Sequence, residues 1–177
     1  MSSVHTFRRS LERSHSASDL PIWLEIYRKA FPDMVACVDH RQDGEHQRSG
    51  IDRSLTLANS KQVLIDEKVR FKAYPDIALE YWSDRDRGIP GWVCKPLRAD
   101  YICYAIAPIG QAYLLPVLQL QAAWRRHSEE WIKRFSPAIN AINQDYVTVS
   151  CGVPVNVLFV AIGACFRIQF TPQREAV

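Results

Sequence analysis

Apolar residues recur at three- and four-residue intervals from Leu20 through Trp23, Leu24, Tyr27 and Phe31, with Glu25 and Arg28 nearer the edges. That period predicts an amphipathic helix over 19–31, opened by Asp19 and a first-turn proline and stopped by Pro32. MVACV at 34–38 is short, apolar and β-branched and reads as a strand, whereas the polar DHRQDGEHQRSG at 39–50 reads as a loop. Two further strands are expected at 51–57 and 62–71, joined by the turn-like ANSK at 58–61. In DIALEYW at 76–82, Ile77, Leu79 and Tyr81 alternate with Asp76 and Glu80, the period of another strand. Residues 83–98 carry charge, glycine and proline and read as a loop bordering a substrate groove, with Trp92 anchoring it to the body. DYICYAIA at 100–107 is a strand candidate, and 113–135 reads mostly as helix despite Pro116. A last strand is expected at 144–150, and the apolar 154–168 fits a packed helix or strand equally well.

This succession predicts a mixed α/β fold, a central mixed β-sheet flanked by helices. At 177 residues the chain suits one domain, with a basic extension at 1–18, a core at 19–135 and an apolar C-terminal extension at 136–177 packed on that core. A hydrophobic share of 47% against 23% charged excludes wholesale disorder. The net charge of +3 permits nucleic-acid binding without selecting it, because the distribution of charge matters more than its sum. Five cysteines without a CxxC pair suggest neither a zinc knuckle nor a disulfide framework, and point to a reducing cytoplasm. Residues 1–18 lack the apolar stretch of a secretory signal. The run at 147–166 is long enough for a membrane span, but Thr148, Ser150, Pro154 and Asn156 interrupt it, so a buried strand and helix are expected and no membrane contact. His40, His46 and His127 show no metal-ligand spacing with one another and are expected at the surface.

The candidate chemistry lies in one hairpin. On an extended strand Asp66, Lys68 and Arg70 share one face while Ile65, Glu67 and Val69 share the other, and a turn at 58–61 brings Asp52 beside Asp66. Two carboxylates suit Mg²⁺, which takes oxygen ligands and is commonly held by one or two carboxylates plus substrate phosphate. A metal-bound water is a nucleophile at neutral pH, and the Lys68 ammonium is placed to offset charge growing on a phosphodiester. Asp-x-Lys alone is often just a solvated strand face, so the weight rests on its context.

Gly50-Ile51-Asp52, then Asp66-Glu67-Lys68, with Glu25 on the preceding helix, resembles the PD-(D/E)XK nuclease superfamily in the order E, D, D-x-K over roughly residues 19–135. Ile51 stands where the family's first motif has proline. The resemblance implies a restriction-endonuclease-like core and a nuclease that hydrolyses phosphodiester bonds, DNA more than RNA. It implies that Asp52 and Asp66 bind Mg²⁺, for which Mn²⁺ substitutes, with the backbone carbonyl of Glu67 as a further ligand. Lys68 would orient water and phosphate, Glu25 would complete the acidic cluster, and Glu80 would be an auxiliary ligand. Arg48, Arg53, Arg70 and Lys72 crowd the same third of the chain and are candidates for phosphate contacts. Trp82 and Trp92 are expected to pack rather than stack on bases. Many such nucleases act as dimers, so a homodimer belongs to the expectation. Two rival readings stand beside it: a non-catalytic nucleic-acid-binding module of the same fold, and an assembly protein whose apolar tail covers a dimer interface.

Overall fold

The computed structural model describes residues 21–135, 139–142 and 146–173. In chain order the elements are α1 (Ile22–Ala30), β1 (Met34–Asp39), α2 (Gly44–Arg48), β2 (Arg53–Leu57), β3 (Gln62–Arg70), β4 (Asp76–Asp84) and β5 (Ile89–Pro90). There follow β6 (Tyr101–Ile106), β7 (Gln111–Pro116), α3 (Val117–Arg134), β8 (Ile139–Ile142), β9 (Val147–Pro154), α4 (Val155–Ile162) and β10 (Phe166–Gln169). The fold is mixed α/β, as the pattern predicted. The chain, expected to form one domain, divides into two compact units. One holds the described residues of Leu20–Tyr74, Leu97–Gln119 and Ile162–Val177, the other those of Pro75–Pro96 and Leu120–Ala161.

The first unit is a six-stranded sheet in the order β1-β2-β3-β6-β7-β10. Only β3 and β6 pair in parallel; the other four pairings are antiparallel. The stripe read on α1 packs on one face of this sheet. Ile22, Trp23, Ile26 and Tyr27 bury against Leu55, Ile65, Cys103, Ala112 and Leu114. Leu24, read as part of that stripe, is exposed, and Ile22 and Ile26 complete the buried face instead. Asp19, expected to cap this helix, lies outside the described residues; Pro21 occupies the cap position without a side-chain cap. The ANSK turn forms as expected: Leu57 N–H donates to the Lys61 carbonyl at 2.9 Å, Asn59 Oδ1 accepts from Lys61 N–H at 3.0 Å, and Ser60 adopts φ 65°.

The second unit is a four-stranded antiparallel sheet, β5-β4-β9-β8. Its alternation is clear, with Ile77 opposite Val153 and Leu79 opposite Cys151, all buried. Buried Trp124 and Trp131 lie seven residues apart on α3, and Tyr81 stacks on Trp124 with ring centroids 5.6 Å apart. Trp92 is buried, the anchor expected of the 83–98 segment.

Three expectations need correction. The helix expected at 113–135 starts only at Val117, because Gln111–Pro116 pairs along the whole of β6. AYLL is buried on both faces there, so no period separates helix from strand. The loop expected at 39–50 contains the short helix α2, begun where Asp43 Oδ1 accepts from Glu45 N–H at 2.9 Å. The 76–82 strand forms, but in a second sheet rather than in the one central sheet expected. The tail supplies strands to both units: β9 pairs with β4, and β10 extends the first sheet beyond β7. The apolar run at 147–166 divides into β9 and α4, and among the described residues no helix is long and apolar enough to cross a membrane.

Candidate active site

The hairpin pairs Arg53 with Ile65 and Ser54 with Leu64, which sets Asp52 opposite Asp66. Asp52 N–H donates to the Ile65 carbonyl at 2.8 Å, and Asp52 Oδ2 accepts the next donor, Glu67 N–H, at 2.7 Å. Asp66 is only 3% exposed. The Lys68 ammonium donates to Asp66 Oδ1 and also to the Glu67 carbonyl at 3.3 Å. Burial pushes the Asp66 carboxyl up to about 6; Lys68 opposes the rise and the adjoining Asp52 carboxylate adds to it. The result is a buried carboxylate and a half-buried one with one ammonium on the same face of the hairpin. Gly50 gives it room. At φ 68° it adopts a left-handed turn, and a Cβ there would meet Leu97 Cδ2 at 2.4 Å and lie 3.8 Å from Asp66 Oδ2. Gly50→Ala therefore lowers unfolding free energy by about 1–2 kcal/mol, read from the urea midpoint.

The opposite face of β3 holds a different set. Glu67 Oε1 accepts from the Tyr27 hydroxyl and from Arg53 Nε, each at 2.6 Å, while among the described residues Oε2 has no hydrogen-bond partner. Arg53 also lies 3.5 Å from Asp39 Oδ2. Burial pushes the Glu67 carboxyl up to about 7, with Arg53 and Tyr27 pulling it down. Both raised carboxyls hold a proton more tightly in the folded chain than in the unfolded one. Between the ordinary carboxylate range and pH 7 the native state thus binds more protons, so its stability falls as pH rises through that window. The urea midpoint is expected to be higher at pH 5 than at pH 7.5, and Glu67→Gln is expected to flatten the difference.

The structure thus brings Asp52, Asp66, Lys68 and the Glu67 carbonyl together. It does not bring Glu25 to them. Glu25 bonds Lys29 at 2.8 Å and accepts from Thr171 N–H at 3.1 Å, just beyond β10. Three strand spacings separate β10 from β3, about 14 Å. The lysine also holds the Glu25 carboxyl below its usual value. What α1 delivers to β3 is Tyr27. Glu80 lies on β4 in the other unit's sheet, where its carbonyl accepts from Val93 N–H at 3.1 Å. Arg53 turns to the α1 side and is engaged by Glu67 and Asp39, away from any phosphate approaching Asp66. Arg70 sits with its guanidinium 4.5 Å from the Tyr74 ring centroid, and Lys72 and Arg48 are exposed.

Sequence reading missed one cluster. His40, Asp43 and His46 present ligand atoms that all lie within 4.8 Å of one another, and the two imidazoles stack with centroids 4.1 Å apart. The signal is the spacing of three and three across a turn and a helix start, hidden when the histidines are compared only with each other. His127 takes no part and stacks on Trp131 at 5.3 Å. No family model, no curated protein and no solved structure matches the chain.

Proposed function

We propose that the protein is a metal-dependent nuclease of the restriction-endonuclease-like class, hydrolysing phosphodiester bonds of DNA in preference to RNA, with Mg²⁺ or Mn²⁺ as cofactor. The observation that carries this reading is the placement of Asp52 opposite Asp66, with the Lys68 ammonium on the Asp66 carboxylate. The donor set fits a hard cation: two carboxylates and the Glu67 carbonyl are all oxygen. The buried Asp66 is a carboxylate that a dication would stabilise in its charged form. Order along the chain supports the same class, since helix α1 precedes the hairpin, Asp52 stands at the entry of β2 and Asp66-Glu67-Lys68 lies within β3.

In this reading Asp52 and Asp66, with the Glu67 carbonyl, would hold the cation. A cation bound there would lower the pKa of a water and offset charge in the transition state. Lys68, whose ammonium donates to Asp66 Oδ1, would offset the charge that develops on the scissile phosphate. The deciding experiment incubates the protein with plasmid, linear, single-stranded and branched DNA and with RNA, in Mg²⁺, Mn²⁺ or EDTA. Cleavage with either metal and none with EDTA is the expected result. Salt-sensitive binding without turnover under any metal would replace the enzyme with the binding module.

A further inference from the structure

We propose that His40, Asp43 and His46 form a binding site for a first-row transition-metal dication of the zinc class, separate from the Asp52–Asp66 pair. Two imidazoles and a carboxylate are the donors such ions take, whereas Mg²⁺ selects oxygen. Donors sharing one ion at about 2.1 Å lie roughly 3.0–3.5 Å apart. The His46 Nδ1 to Asp43 Oδ2 separation is already 2.8 Å, and all three ligand atoms lie within 4.8 Å. Only small side-chain rotations are needed to close the set.

Backbone hydrogen bonds set this arrangement. Asp43 N–H donates to the His40 carbonyl at 2.8 Å, and Asp43 Oδ1 accepts from the N–H groups of Glu45 at 2.9 Å and His46 at 3.3 Å, leaving Oδ2 for the His46 ring. His40 N–H donates to the Asp52 carbonyl at 2.8 Å, and Ile51 N–H donates to the His46 carbonyl at 3.0 Å, so both histidines are tied to the entry of β2. Ser54 Oγ, on a buried residue, lies 2.8 Å from His40 Nε2 and fixes the rotation of that ring, the part that outer partners play at imidazole ligands. Helix capping accounts for Asp43 and for its pair with His46. It does not account for His40 lying face to face on His46. Three protein ligands leave a coordination position open, and His46 borders a cleft of about 340 Å³ shared with Glu45, Ser49 and Arg98.

The test is a Co²⁺ titration of the metal-free full chain, followed by visible ligand-field absorption and then displacement with Zn²⁺. The expected result is one tightly bound equivalent with bands that Zn²⁺ abolishes. Affinity is expected to fall about tenfold or more in His40→Gln and in His46→Gln, and to stay at the parent value in Asp52→Asn/Asp66→Asn. As a measurement on the parent itself, Zn²⁺ is expected to protect His40 and His46 from diethylpyrocarbonate, read by mass spectrometry. Parent-like Co²⁺ affinity in both histidine variants, or no Zn²⁺ protection, would overturn the proposal. Loss of Co²⁺ binding in the double aspartate variant alone would assign the ion to the carboxylate pair instead. Nuclease activity does not enter any of these readouts, so the site stands or falls apart from the catalytic reading.

Discussion

On the proposed nuclease reading, Asp66→Asn and Lys68→Ala are each expected to lower metal-dependent cleavage by about a hundredfold or more, but for different reasons. Asp66→Asn keeps the shape of a buried side chain and removes the charge that would hold the cation, so metal binding and turnover are expected to be lost together. Lys68→Ala removes the ammonium that occupies Asp66 Oδ1. Without that competitor the aspartates keep their affinity for Mn²⁺ or gain some, while turnover falls because nothing offsets charge on the phosphate. Mn²⁺ binding measured by electron paramagnetic resonance, beside single-turnover rates, separates the two. A Lys68→Ala protein that is folded and cleaves at the parent rate would end the nuclease assignment, as would a folded Asp66→Asn protein with undiminished cleavage.

The largest effect on stability is expected from Arg53→Met. Arg53 Nε meets Glu67 Oε1 at 2.6 Å, and the Glu67 side chain is only 2% exposed. Removing the guanidinium leaves a carboxylate in a dry site with the Tyr27 hydroxyl as its remaining donor and Oε2 still without one. Breaking a buried pair from one side costs about 3–5 kcal/mol. The loss depends on pH, because Glu67 has an escape: its carboxyl already titrates near 7, and without Arg53 it holds its proton to higher pH still. Below that range the side chain is neutral and the loss is smaller; above it the full cost returns. Urea denaturation of parent and variant at pH 5 and pH 8 checks this, and an equal loss at both would mean that Glu67 does not change charge.

Several placements that the structure corrected follow from rules the sequence itself supplies. Asp52 and Arg53 are neighbours at the entry of a strand, so alternation sends them to opposite faces, and Arg53 cannot share the side of Asp52. Glu25 and Tyr27 stand two apart on a helix, about 200° around its axis, and Tyr27 belonged to the apolar stripe. Only one of them reaches the sheet. The histidine cluster was legible as His-x-x-Asp-x-x-His, but its chemistry depends on a turn that lays one ring on the other. The 76–82 strand was read correctly as a strand, yet nothing in its alternation says which sheet receives it.

By itself the sequence determined the hairpin and the faces of β3. Turn chemistry at 58–61 sets the register, and register with a two-residue side-chain period puts Asp52 opposite Asp66, with Lys68 on the same side and Glu67 on the other. These are local matters, settled by dihedral preference and counting. Tertiary structure decided what depends on contacts between distant segments. It sent β4 to pair with β9, put Tyr27 rather than Glu25 at β3, closed Arg53 onto Glu67 across the hairpin, and withdrew Asp66 from water far enough to lift its carboxyl to about 6. Strand partners and burial arise from packing among residues far apart in the chain, and short-range periodicity carries no record of which distant surface will cover a given face.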